Sequence, residues 1–374
     1  MKAVASVDPR VTNIKYLARA AAFIHFVCLG LSFVMWLRSG DQRSAVYELY
    51  RPAFVANSTL VTAAQSQLAQ SCARAGLTVL TLQAEFAAAN SSAPLRVRGT
   101  WVPAQTTPFW FVHMNGYHLL WVIFGVSFLA QANVVFECRK VKEQARQGLT
   151  MNYDFFTQPC ASRWFEYAVT SPCMVSLIAA SLAIRDINTI LLLAAAQGAL
   201  CQFGFAMECA YELRKTEGEE GVPGEPVKHI EFRPFPVVPS TTTIMPNMSQ
   251  QLWYWSFVPS MLLHVLVWGV LISSYVEQTN TRCADADGKP PDWLVVVLIL
   301  QAVFFSFFVL VAVWQALKLD MVPLRKRTTV TADQVKNAFF VSFKQYTVLS
   351  LVAKAMLGLT YLANVGTFPL YTPQ

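Results

Sequence analysis

The sequence predicts an all-α membrane protein, a bundle of seven transmembrane helices with a cytoplasmic N-terminus and an extracellular or lumenal C-terminus. Three observations predict it. Of the 374 residues, 55% are hydrophobic and only 14% are charged, whereas a soluble chain carries roughly a quarter charged residues. The apolar residues are gathered into runs that reach the length of about 20 residues needed to cross a bilayer as a helix. The basic residues flank those runs instead of forming one patch, so the net charge of +7 reads as topology and no nucleic-acid partner is expected.

Seven spans follow from the apolar runs, at residues 16–37, 110–136, 155–184, 187–211, 253–276, 293–317 and 338–362. The first lacks a clean small-residue cleavage site and reads as a span, not a removable signal. The third is the weakest, because Gln158, Ser162, Arg163 and Glu166 interrupt its first half. It is retained because 167–183 is apolar and because seven spans make the charge pattern consistent. With the N-terminus inside, and Lys354 left out, nineteen of the lysines and arginines lie on the cytoplasmic side and nine on the other. Six of those nine sit in the long first loop, where the positive-inside rule has little force.

The chain 1–374 therefore reads as a single domain with two large loops. The loop 38–108 faces away from the cytoplasm and carries sequons at Asn57 and Asn90; the loop 214–250 is Pro-rich, cytoplasmic, and holds a sequon at Asn247 on the wrong side for use. Cys72 and Cys283 fall on the same oxidising side and form a candidate disulfide. The eight cysteines show neither a CxxC nor a Cys/His cluster, so no metal site is expected.

The residue that stands out is Lys354, deep in the last span within Leu349-Ser-Leu-Val-Ala-Lys354. An ammonium at that depth costs roughly 2.5–3.5 kcal/mol even on the lenient insertion scale. It persists with a partner, a wet cavity or a covalent modification. The plainer reading is a lysine that snorkels to the headgroups, as Lys344 is expected to do. Ser350 precedes Lys354 by four residues and shares its face. On span three, Glu166, Thr170 and Cys173 share a face as well. Glu166 either meets the cation at depth or sits at the membrane surface beside Arg163; the residues alone leave both open. Aromatic residues on spans five and six, among them Trp255, Phe304 and Phe305, supply walls for a long, flat, apolar ligand. Lysine amines form Schiff bases with carbonyl compounds, and retinal is the aldehyde suited to a seven-helix bundle.

Arg163-Trp-Phe-Glu-Tyr167, followed by Thr170, Ser171 and Met174, resembles the third-helix signature of heliorhodopsins. The stretch ending in Lys354 resembles that family's retinal-attachment motif. The resemblance implies an inverted, N-inside bundle in which Lys354 binds all-trans retinal as a protonated Schiff base with Glu166 as counter-ion. It implies a pocket of Ser350, Thr170, Ser171, Tyr167, Met174, Trp255, Pro259, Phe304 and Phe305. It also implies a polar cavity that includes His25, Arg163, Glu208 and Gln131, with Glu208 pairing to Arg163 across the bundle, and a homodimer in the lipid bilayer. Ser350 stands where ordinary microbial rhodopsins usually carry an aspartate, which leaves one carboxylate beside the nitrogen. The sequence departs from the family at three places. Gln131 or Asn133 stands near the second-helix histidine position, with His118 at another level. Pro172 occupies a common serine position, and Ser260 follows Pro259 where a tryptophan often lines the pocket.

The function expected is light sensing by a retinal photoreceptor with a slow photocycle, not catalysis, with the plasma membrane as the expected location. Two alternatives carry different consequences. A light-gated proton channel of the same family would give photocurrents. A transporter or receptor with a structural Lys354–Glu166 pair would form no pigment.

Overall fold

The structure is a computed structural model that describes residues 7–39, 46–48, 50–53, 100–103, 113–182, 184, 187–219, 248–281, 292–319, 321 and 331–364. Among these are seven long helices, α1 (Pro9–Ser39), α2 (Gly116–Arg146), α3 (Ala161–Ser181), α4 (Ile187–Glu219), α5 (Met248–Thr281), α6 (Asp292–Lys318) and α7 (Ala332–Asn364). A single helical turn, Asp154–Thr157, lies between α2 and α3. Six of the seven, all but α3, are long and apolar enough to cross a membrane. The chain is an integral, multi-pass, helical membrane protein. Most of the loop 38–108, the centre of 214–250, the three sequons, Cys72 and Cys283 lie outside the described residues.

Local chemistry accounts for the helix ends. Asp8 precedes Pro9, and its Oδ1 accepts the Arg10 amide at 2.8 Å. This is an acidic N-cap with proline in the first helical position, where no amide is missed. At the end of α2, Gly148 takes φ +69°. The Gly148 and Leu149 amides then donate to the carbonyls of Ala145 and Gln144 at 3.2 and 2.9 Å, which closes the last turn in the left-handed manner glycine permits. The helix runs ten residues beyond the expected 110–136 span and begins six residues later. Its beginning is displaced because His113–Asn115 (β4) pairs antiparallel with Val46–Glu48 (β1). A second short pair joins Tyr50–Ala53 (β2) to Thr100–Pro103 (β3).

The expected span 155–184 is not one helix. Gln158 is extended (φ −127°, ψ 168°), as the residue before a proline prefers to be, and Pro159 separates the short turn from α3. At 21 residues, α3 still reaches about 31 Å at 1.5 Å per residue. It runs through Pro172, whose missing amide leaves the Ala168 carbonyl without its helical donor. On α4, Gly198 faces this position; a Cβ there would lie 3.7 Å from Pro172 Cγ.

The helices close a ring. Each packs on the next in chain order, α5 and α6 by the thinnest seam, and α7 returns against α1. Helix α7 also touches α2 and α4, and half of its most apolar stretch is buried, more than in any other span. It is the central element, which is why a polar group on it can lie far from both water and lipid. One end of the ring is filled by the single turn: Phe156, 1% exposed, stacks on Phe340 with centroids 6.1 Å apart and meets Phe343 edge-on at 5.5 Å. Phe156→Ala is expected to cost roughly 3–5 kcal/mol, read as a lowered thermal unfolding midpoint of the detergent-solubilised protein.

Candidate functional site

Three helices bring polar groups to one point inside the ring. Lys354 on α7, Glu166 on α3 and Ser127 on α2 are 3%, 1% and 0% exposed. The Lys354 Nζ donates to Glu166 Oε1 at 2.5 Å and to Ser127 Oγ at 2.8 Å. Glu166 thus sits in the interior, and the snorkelling reading does not apply to Lys354. Lys344, two to three turns earlier, is exposed. A buried ammonium and a buried carboxylate are each costly alone, so the pair holds only because the two meet with hydrogen-bonding geometry. Ser127 reaches the nitrogen because α2 approaches α7 closely. Phe124, one turn before it, lies where a side chain on Gly358 would be, within 2.1 Å of a Cβ built there.

Several neighbouring polar groups donate to backbone carbonyls. Thr170 Oγ1 donates to the Glu166 carbonyl at 2.9 Å, and Ser171 Oγ to the Tyr167 carbonyl at 2.7 Å. Tyr167 Oη donates to the Tyr346 carbonyl at 3.1 Å, while its ring lies 5.3 Å from Lys354 Nζ. From α6, Gln301 Nε2 donates to the Ala353 carbonyl at 2.8 Å, next to the lysine. Ser127 is thus the second side-chain acceptor for the lysine ammonium, and Ser350, one turn before Lys354, lines the same cavity.

Lys354 lines a cavity between α3, α4, α5, α6 and α7 with about 750 Å³ of empty space, counting the part open to the surface. Its walls are largely apolar: Trp164, Met174, Met207, Phe257, Met261, Phe305 and Phe308 among them. Of the pocket residues drawn from the resemblance, Tyr167, Thr170, Ser171, Met174, Phe305 and Ser350 line this space, and Glu166 stands at its lysine end.

Three do not line it. Trp255 is 73% exposed and faces away from the bundle. Pro259 and Phe304 are half-buried and outside the lining. Helical geometry explains all three. On α5 the inward positions are Phe257, Ser260 and Met261, and on α6 they are Phe305, Phe308, Val309 and Ala312; Pro259 and Phe304 stand one residue from them, a turn of about 100°, and Trp255 two residues, about 200°.

Of the four residues expected in one polar cavity, two are brought together as a pair. Arg163 and Glu208 form a buried ion pair, 6% and 1% exposed. The Cys160 amide also donates to Glu208, at 3.4 Å, and the guanidinium stacks over Phe343 and Tyr346 at 4.9 and 5.1 Å. His25 on α1 is 0% exposed and Gln131 on α2 is 4% exposed. Among the described residues, neither His25 ring nitrogen has a hydrogen-bond partner, nor does Gln131 Oε1. Sequence reasoning missed Ser127, Gln301 and Gln197. The last is 1% exposed and lines the cavity, and among the described residues its Oε1 has no partner. The signal for Ser127 was its place four residues before Gln131, on the same helix face.

Fold and site together define a multi-pass helical membrane protein with a buried amine, one facing carboxylate and an apolar cavity leading from them. The model of a protein family described as Heliorhodopsin matches residues 148–222, and it supports the heliorhodopsin family for this chain. That stretch holds all of α3 and α4, with Arg163, Glu166 and Glu208; Lys354 lies beyond it. Comparison with curated proteins gave no match.

Breaking either buried pair leaves a bare charge. Glu208→Ala is expected to destabilise by roughly 3–5 kcal/mol, whereas replacing both Glu208 and Arg163 by methionine costs much less. Thermal unfolding of the two variants in detergent checks the difference.

Proposed function

We propose that this chain is a retinal photoreceptor of the heliorhodopsin type. In this reading all seven long helices cross the membrane with the N-terminus in the cytoplasm, and all-trans retinal is carried on Lys354 as a protonated Schiff base. The observation that carries the reading is the Lys354–Glu166 pair, 2.5 Å apart, at the end of an apolar cavity. A lysine ε-amine condenses with an aldehyde by forming a C=N bond and releasing water. The positive charge of the protonated nitrogen then needs a fixed anion.

The residues present fit retinal. Aromatic and thioether side chains wall the space beyond Nζ, and they suit a flat hydrocarbon better than a polar solute. Bound retinal would supply visible absorption and a light-driven change of shape. The chain supplies the rest. Glu166 holds the charge at Nζ, Ser127 offers a second acceptor to the same proton-bearing atom, and Thr170 and Ser171 are turned to their own backbone. All three groups are buried at that point. With a single carboxylate there, the neutralisation of Glu166 removes the whole counter-charge, so colour depends on one group.

Sensing is the role favoured over proton conduction. The aromatic filling around Phe156 closes one end of the ring. A homodimer in the plasma membrane completes the proposal on the strength of the resemblance. The alternative of another class, a transporter or receptor with a structural Lys–Glu pair, differs in having no pigment.

Expression with added all-trans retinal is expected to give a visible absorption band that Lys354→Ala abolishes. Absence of the band in the parent protein, or its survival in Lys354→Ala, rejects the proposal. Glu166→Gln, which keeps the shape and removes the charge, is expected to abolish or strongly displace the parent band at neutral pH. Voltage-clamp recordings under illumination are expected to show no photocurrent.

A further inference from the structure

The apolar cavity and the buried Arg163–Glu208 pair are neighbours, and the sequence itself alternates between them. Trp164 and Met207 line the cavity, while the adjacent Arg163 and Glu208 form the ion pair outside it. The Arg163 guanidinium carbon lies 6.0 Å from the Trp164 ring centre. Tyr346 marks the same boundary on α7, since it lines the cavity and also lies under the guanidinium. The indole is held there edge-on to two rings, Tyr167 at 5.7 Å and Tyr346 at 5.8 Å.

What fixes the indole is an absence on α4. A Cβ built on Gly204 would come within 2.2 Å of both Trp164 Cη2 and Cζ3, and 3.1 Å of Cε3. Those atoms belong to a rigid ring packed edge-on to two further rings, Tyr167 and Tyr346, so it cannot yield by a simple rotation of a flexible end. Gly204 is itself part of the cavity lining. The six-membered ring of the indole occupies the notch that the missing side chain leaves.

We propose that Gly204 is a positioning residue: by seating Trp164 in its notch, it makes the indole the partition that ends the chromophore cavity and separates it from the Arg163–Glu208 pair. This rests on the retinal reading given above. Trp164 then sets how far a polyene held on Lys354 can extend toward that end. It also keeps small polar molecules near the ion pair from the imine carbon. Gly204 acts through Trp164 and touches no reacting atom.

The test compares four pigments reconstituted with all-trans retinal: the full chain, Gly204→Ala, Trp164→Phe and the double variant. Two readouts are taken, the absorption maximum and the rate of dark bleaching by hydroxylamine. Hydroxylamine attacks the imine carbon, forming retinal oxime and freeing the Lys354 amine. Gly204→Ala is expected to shift the maximum and speed bleaching roughly tenfold, the effect of a partition displaced by one carbon. Trp164→Phe, which removes the ring that fills the notch, is expected to speed bleaching as well. In the Trp164→Phe background the Gly204→Ala change is expected to have no further effect on either readout, because the clash is gone.

Parent-like spectrum and bleaching in Gly204→Ala, or an undiminished Gly204→Ala effect in the Phe background, overturns the inference. If Gly204→Ala does not assemble, Trp164→Phe alone decides: bleaching at the parent rate overturns it. If the parent chain forms no pigment, the retinal reading itself falls and takes this inference with it, an outcome separate from the others.

Discussion

The contact between Lys354 and Glu166 is the constraint on which the rest of the bundle depends. Neither group could occupy its depth alone, because the cost of an unpaired buried charge is a large fraction of a protein's net stability. The pair therefore ties α7 to α3 at one register only. Shift either helix by a residue and the side chains leave the contact. The ring of helices, the close approach of α2 over Gly358 and the backbone-directed hydroxyls of Thr170 and Ser171 all follow as ways to hold that register.

Helix α3 carries this arrangement twice. Arg163 and Glu166 are three residues apart and bear opposite charges, so on an isolated helix they would pair with each other. In the bundle each turns to a partner elsewhere, Glu208 on α4 and Lys354 on α7. Two buried salt bridges thus bind three helices without any charge left over. Between the two bridges lies the partition of Trp164 and Tyr346, so the apolar cavity receives one charged pair at its lysine end and none at the other.

Much of the fold was legible because a membrane simplifies the code. Apolar runs long enough to span located six of the seven long helices to within seven residues at their starts, and the lysine announced itself by its cost. What escaped had short-range or three-dimensional causes. The break at Gln158–Pro159 was hidden inside a stretch whose polar residues already blurred its edge. The inward faces of α5 and α6 were ambiguous, since both helices are apolar all round and carry no moment to separate Phe304 from Phe305 or Trp255 from Phe257. Ser127 and Gly204 were invisible for another reason. Each matters only because of what a different helix sets against it, and a serine or glycine in an apolar run gives no local sign of that.

Pro172 gives α3 a mechanical character of its own. The helix lacks one hydrogen bond at the Ala168 carbonyl, two residues past Glu166, while the turns on either side keep theirs. Stiffness along a helix is set by its weakest turn. The segment with Arg163 and Glu166 is therefore hinged to the segment with Met174 and the core beyond, with Gly198 leaving clearance beside the joint. Any bend in α3 falls most easily at that turn, between the segment that carries both buried charges and the segment set in the apolar core.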